Sequence, residues 1–276
     1  MRFGFVTCVQ LGLDVMEEIY SLGGSLQLAV SLPDDRARDK SGRIYLDDFC
    51  AHHSIPIVKT PSINDHAVAE TVLSSQIDWL FIIGWSQIAK TGVLSSPARG
   101  CIGMHPTLLP EGRGRASIPW AIIKGIETTG VTMFVLDEGV DTGPILAQTA
   151  IPLRCDTSAS ELYRDVEEAH RRLIRNSWRD LADDRLEPRP QDPSAGSVWP
   201  GRTPEDGRLA PDMTVTEALT LIRATTHPYP GAFWVVDGGT LRVWSAQADT
   251  SGGHPKFACR DGWIEALDFD FDLCEG

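Results

Sequence analysis

Along the first hundred residues, short apolar runs alternate with segments whose apolar positions recur at helical spacing. Residues 2–9 read as a buried strand and 12–22 as the helix after it. Residues 26–32 give a second strand, 44–53 a weak helix, 55–58 a short strand, 64–74 a helix and 79–83 a strong strand. Strands and helices in this alternation build a parallel sheet covered on both faces. The expected fold class is therefore α/β, a Rossmann-like, doubly wound, mainly parallel sheet. The first turn, Thr7 to Asp14, holds Gly12 but no GxGxxG pattern, so a dinucleotide site is not expected.

The pattern then changes. Cys101 to Met104 reads as a buried strand, a short helix with Pro119 in its first turn runs to Lys124, and Val131 to Leu136 is β-rich. Ser158-Ala-Ser-Glu161 fits a capping box, and Leu162, Val166, Ala169, Leu173 and Leu181 keep helical spacing to about Ala182. Residues 187–211 are rich in proline, glycine and charge and read as a surface linker anchored by Trp199, with Arg202 facing solvent or an anionic substrate. A helix from Thr214 or Thr216 to Arg223 follows, then a hairpin of Ala232–Val236 and Leu241–Ser245 around Asp237-Gly238-Gly239. Short strands are expected at 256–258 and 263–266, and Asp268 to Asp272 is an edge strand or a frayed tail. The domains expected are 1–184, a linker 185–211, and a smaller β-rich C-terminal domain, 212–276.

Composition narrows the functional classes. The chain has 276 residues and a net charge of −13, from 38 acids and 25 bases. Such a balance argues against a nucleic-acid partner, which calls for a basic surface. The one basic run, Arg171-Arg172-Leu-Ile-Arg175, reads as the wet side of an amphipathic helix. No apolar run approaches the length of a membrane span, and the start lacks a leader pattern, so a cytoplasmic protein with no membrane partner is expected. The six cysteines show no CxxC spacing and read as reduced; Cys274 is among them. No histidine-rich spacing points to metal. His52, His53, His66, His170 and His254 read as surface or packing residues, and His227 as structural.

Residues 100–146 are denser in polar specificity than a core requires. His105 precedes Pro106, which holds it extended at a strand end. In an open α/β sheet, ligands bind at that edge. Glu111-Gly-Arg113-Gly-Arg115 sets two cations between glycines, suited to meeting an anion. Asp137-Glu138-Gly139-Val140-Asp141-Thr142 forms an acidic loop after the next strand, and a histidine and a carboxylate on neighbouring strand ends make a proton-transfer pair.

Three segments, HPTLLPEGRGRASIPWAI, TGVTMFVLDEGVDTGPIL and RATTHPYPGAF, together resemble the formyltransferase family that uses 10-formyltetrahydrofolate. Within it the chain is most similar to the enzymes that formylate sugar amines, including the formyltransferase half of the bifunctional aminoarabinose enzyme. The resemblance implies that His105 and Asp141 are catalytic. It further implies that Trp85, Gln87, Ile88, Met104 and the loop Asp137, Glu138, Gly139, Val140, Thr142 hold the folate. Arg113 and Arg115 become candidate binders of an acceptor phosphate or carboxylate. The partner implied is a small-molecule amine, and a homodimer is compatible with the sequence. One position departs from the family: its catalytic asparagine, two residues before the histidine, is Gly103 here. Losing one oxyanion donor costs roughly 2.7–4 kcal/mol. A water, the His105 imidazolium, Gln87 or Arg115 are candidate replacements. The alternatives are a hydrolase of the same folate and a folate-binding protein without catalysis.

Overall fold

The computed structural model describes residues 1–36, 43–248 and 254–273, so Cys274 lies outside the described residues. The chain divides into two compact units. The first comprises Met1–Arg113, Gly130–Ile151 and Val166–Ser197; the second comprises Gly114–Thr129, Pro152–Asp165 and Val198–Gly276.

The first unit is built on a seven-stranded sheet. Its strands are β1 (Phe3–Val6), β2 (Leu28–Ser31), β3 (Ile57–Lys59), β4 (Trp79–Ile82), β5 (Gly100–His105), β6 (Thr128–Val135) and β7 (Ile145–Pro152), in the spatial order β3-β2-β1-β4-β5-β6-β7. The first five are parallel, and β6 runs antiparallel to β5, with His105 opposite Thr132. Helices α1 (Gln10–Ser21), α2 (Asp47–His53), α3 (His66–Ser74) and α4 (Thr91–Leu94) connect the parallel strands. β1 and β2 are buried along their whole length, which explains why their sequences run apolar instead of alternating. Val6, Leu28, Val30, Leu80 and Cys101 pack with Val68 and Val72 of α3 in one core cluster. The expected α/β class and the series of elements through β5 are found, each end within three residues of the expectation.

Two features of this sheet were not expected. Ile145–Pro152 is a strand, although its middle residues alternate between exposed and half-buried. The β5–β6 pairing is antiparallel, a direction set by the connection and not by strand composition.

The second unit holds α5 (Ser117–Ile123), whose third residue is Pro119, and the start of the long α6 (Ala159–Ala182). The capping box read from sequence is present: Ser158 N and Oγ both donate to Glu161 Oε2, at 2.8 Å each. Its C-terminal part is α7 (Val215–Thr225) and an antiparallel sheet of β8 (Ala232–Val236), β9 (Gly239–Ala248), β10 (Lys256–Cys259) and β11 (Gly262–Leu273), in the order β8-β9-β11-β10. Asp268 to Asp272 belongs to β11 and pairs with β9. Phe269 there is half-buried, while Phe271 is exposed like the aspartates on either side of it. Ala218, Leu221 and Ile222 of α7 cover Trp234, Leu241, Val243, Ile264 and Ala266.

Candidate active site

β5 carries His105 to its end, where the ring is 8% exposed and engaged on both sides. Nε2 lies 2.8 Å from the Gly112 carbonyl oxygen, and Nδ1 lies 3.5 Å from Asp141 Oδ2. A carbonyl oxygen only accepts, so Nε2 carries the proton and donates to Gly112. In the neutral ring Nδ1 is then an acceptor facing a carboxylate acceptor, with room for one proton between them. One proton shared between imidazole and carboxylate would satisfy both atoms.

The loop that brings Asp141 there is closely determined. Asp141 has φ of 54°, a left-handed conformation that aspartate tolerates better than most residues. Thr142 Oγ1 donates to both Asp137 carboxylate oxygens, at 2.8 and 3.0 Å, and Gly139 N donates to Asp137 Oδ1 at 3.0 Å. A Cβ on Gly143 would stand 1.7 Å from the Val135 carbonyl oxygen, so only glycine allows the loop to return so close to its own strand.

Gln191, which no sequence motif marks, locks this loop. Its Nε2 donates to the carbonyl oxygens of Asp141 and Gly143, at 2.8 and 2.7 Å. Its Oε1 accepts from Arg113 Nε and Nη2, at 3.0 and 2.7 Å. Arg113 is only 8% exposed, and Gly196 is packed against its guanidinium, where a Cβ would lie 2.7 Å from Nη1. A chain of contacts therefore runs from Arg113 through Gln191 to the Asp141 backbone. Ser197 holds the other side: its Oγ accepts from Gly112 N at 3.0 Å and donates to Glu111 Oε1 at 2.6 Å, fixing the carbonyl that His105 meets.

Gln191→Leu removes both loop clamps and strips a buried guanidinium of its acceptor, at a cost of about 3 kcal/mol. Gln191→Glu keeps the acceptor for Arg113 and loses the two donors. Thermal melts are expected to show Gln191→Leu strongly destabilised and Gln191→Glu much less so, with turnover lowered in both.

Gly103 is buried in β5, opposite Phe134. A Cβ there would meet Leu136 Cδ2 at 2.7 Å and Phe134 Cε1 at 3.2 Å. The space an asparagine side chain would enter is thus filled by leucine, and that side of the site is apolar. Gln87 is engaged away from Gly103 in this conformation. Its Oε1 accepts from Ile63 N at 3.0 Å and from Trp85 Nε1 at 3.2 Å, and its Nε2 donates to the Pro61 carbonyl at 2.8 Å. Arg115 belongs to the second unit, where its N donates to the Trp199 carbonyl at 3.1 Å.

Trp85, Gln87 and Ile88 sit on the segment after β4. Asn64 braces it, donating to the Ile88 carbonyl and accepting from Lys90 N. Thr91 Oγ1 donates to Glu138 Oε1 and so ties this neighbourhood to the Asp137–Thr142 loop. Ile88 is 70% exposed and Val140 54%, large apolar side chains left uncovered on the two tied segments. Backbone polar groups beside exposed apolar side chains fit a flat heterocycle with a hydrogen-bonding edge. Met104, half-buried between Gly103 and His105, faces Met133 in register.

His170, on α6, is the packing residue its sequence position suggested, and Nδ1 donates to the Val166 carbonyl at 2.7 Å. Burial drives its pKa down from 6.5 to about 4; the Val166 carbonyl opposes the shift and His105 adds to it. Below pH 6.5 the unfolded chain protonates this ring while the native one stays neutral, so stability from this group is complete above 6.5 and is lost as pH falls toward 4. The loss amounts to about 3 kcal/mol. Denaturant melts between pH 7 and 4 are expected to show this slope, reduced by that amount in His170→Gln.

Among the described residues no group of three metal-ligating side chains exists, and no helix is long and apolar enough to cross a membrane.

Comparison with known proteins identifies a family. A family model described as formyl transferase matches residues 31–176, and one for the formyl transferase C-terminal domain matches residues 202–271. A methionyl-tRNA formyltransferase of Sorangium cellulosum is 34% identical over 205 residues, which are 73% of this chain and 66% of that protein. A methionyl-tRNA formyltransferase of Agathobacter rectalis is 30% identical over 90% of this chain and 80% of its own length. Among solved structures, an N-formyltransferase from Helicobacter canadensis, in complex with folinic acid and dTDP-3-aminofucose, superposes with a TM-score of 0.72 at 17% identity. That superposition covers 96% of this chain and 98% of that one.

Proposed function

We propose, given that this chain belongs to the formyl transferase family, that it moves a formyl group from 10-formyltetrahydrofolate to the primary amine of a small molecule such as an amino sugar or sugar nucleotide. The apposition of His105 Nδ1 and Asp141 Oδ2 carries this reading. An amine that attacks a formyl carbon must lose a proton; the pair takes it and gives it to N10 of the folate as the bond between the formyl carbon and N10 breaks, releasing tetrahydrofolate. The Nε2–H that donates to Gly112 is the imidazole donor available to the formyl oxygen, in exchange for that hydrogen bond. Leu136, in the place of an asparagine side chain, leaves His105 as the polar group on that side. When bound, the folate supplies an electrophilic one-carbon group; Trp85, Ile88, Met104, Val140 and the backbone of the two tied segments are the residues that would hold it. Arg113 acts through Gln191 to place Asp141, and Arg115 remains the candidate binder of an acceptor anion. The catalytic domain in this reading is 1–184, followed by the linker 185–211 and the β-rich domain 212–276.

Charge supports the small acceptor. In the one basic run, Arg171 pairs with Asp14 and Arg175 with Glu18, each at 2.8 Å, while Arg172 donates to the Ala150 carbonyl. With these cations engaged, the run offers little to a phosphate backbone. The names of the sequence relatives favour a second reading, in which the acceptor is methionyl-tRNA. Mass spectrometry of products from 10-formyltetrahydrofolate offered with sugar-nucleotide amines, simple amino sugars or initiator methionyl-tRNA separates the readings. The proposal expects a formylated small amine. A formylated tRNA alone would establish the second reading, and formate without any acceptor would make the protein a hydrolase.

A further inference from the structure

Three segments of the second unit, 121–127, 153–157 and 216–223, line an open pocket of about 430 Å³. This is the size of a small-ligand pocket. Its wall carries three cations, Lys124, Arg154 and Arg223, against one carboxylate, Glu127. Arg154 is engaged by Asp156 and Glu161, at 3.0 and 3.2 Å. Lys124 and Arg223 have no carboxylate within ion-pair distance among the described residues. Lys124 instead lies over the rings of Trp120 and Trp199, 5.8 Å from each centroid. Arg223 donates through Nη2 to Thr220 Oγ1 at 3.2 Å, while its Nε is sealed within the protein.

Other arginines without a carboxylate, such as Arg113 and Arg172, are held by neutral acceptors of the fold, Gln191 and the Ala150 carbonyl. Lys124 and Arg223 share one concave wall. Thr216, Thr220 and Arg223 fall at positions i, i+4 and i+7 of α7, one face of that helix, so two hydroxyls and a guanidinium line the same side. Ile122 and Ile126 supply apolar surface elsewhere on the wall. A fork of guanidinium donors with hydroxyls and an ammonium suits the several oxygens of a phosphate better than a carboxylate.

We propose that this pocket is a binding site for a small phosphate monoester, its phosphate meeting Arg223, Lys124 and the threonine hydroxyls and its organic body lying against Ile122 and Ile126. The proposal does not depend on the transfer reaction or on its acceptor.

Calorimetric titration of the full chain with phenyl phosphate, inorganic phosphate and benzoate tests it. Expected are one saturable site for phenyl phosphate, binding of inorganic phosphate and of benzoate each weaker by about tenfold or more, and a loss of at least about tenfold on Arg223→Gln. Lys124→Gln is expected to weaken phenyl phosphate in the same direction, and it carries the prediction if Arg223→Gln does not fold. Absence of saturable binding would overturn the assignment. So would phenyl phosphate bound equally by the wild type and a folded Arg223→Gln or Lys124→Gln variant, or benzoate bound as well as phenyl phosphate.

Discussion

His105→Ala is expected to lower formyl transfer by about 10³-fold, within the range of positioned acid–base groups. Two losses combine. The proton acceptor facing Asp141 disappears, and so does the imidazole donor on the strand that carries Gly103. Folate affinity is expected to stay within a few-fold, because the apolar walls at Ile88 and Val140 do not include the imidazole. The Gly112 carbonyl loses its donor, which costs about 1 kcal/mol of stability. Single-turnover assays beside equilibrium folate titration separate these effects: rate collapses, binding remains. A variant that lost folate binding along with turnover would mean that His105 organises the pocket and does not act in the reaction.

Gly103→Asn is expected to fail as a simple restoration. Its Cβ would stand 2.7 Å from Leu136 Cδ2 and 3.2 Å from Phe134 Cε1, in the interior of a sheet. Overpacking of this kind costs about 1–3 kcal/mol. The leucine end is flexible but the phenylalanine ring is fully packed, so the side chain has no direction in which to reach the site. Opening the space with Leu136→Ala changes the outcome. The double variant Gly103→Asn, Leu136→Ala is expected to gain an amide N–H that donates to the formyl oxygen and to raise turnover by about 10²-fold over the parent, the lower end of what such a donor is worth. Melting temperature and turnover of the two single variants and the double variant form a cycle. If Gly103→Asn alone were as stable and active as the parent, Leu136 would not be what occupies that position.

The elements that sequence revealed are those whose burial is local. β1, β2 and β4 are buried nearly throughout, so their apolar runs stand out, and the helices between them have one buried face each. Ile145–Pro152 escaped because residues 147–150 alternate between half-buried and exposed and follow directly on a glycine-rich loop. The site divides in the same way. His105 and Asp141 are visible through strand ends, the prolines and the acidic loop. Gln191 and Ser197 are not, since they act on backbone atoms about fifty and eighty-five residues away through an amide and a hydroxyl that sit in a stretch read as linker. Arg113 was visible as a cation and unreadable as a buried one, because its partner is that same amide. The exchange of an asparagine for glycine was plain from sequence. That Leu136, on the neighbouring strand's continuation, fills the gap follows only from the β5–β6 register.

In the proposed transfer, His105 and Asp141 take the proton of an amine as it accepts the formyl group. The most direct test follows a carbon-13 label placed in the formyl group of 10-formyltetrahydrofolate by NMR, with a sugar-nucleotide amine present, in the wild type and in Asp141→Asn. The label is expected to move to the amine nitrogen in the wild type, in step with release of tetrahydrofolate, and to stay on the folate in Asp141→Asn over the same time. Label appearing as formate in the wild type, or moving to the amine equally fast in Asp141→Asn, would contradict the proposed transfer.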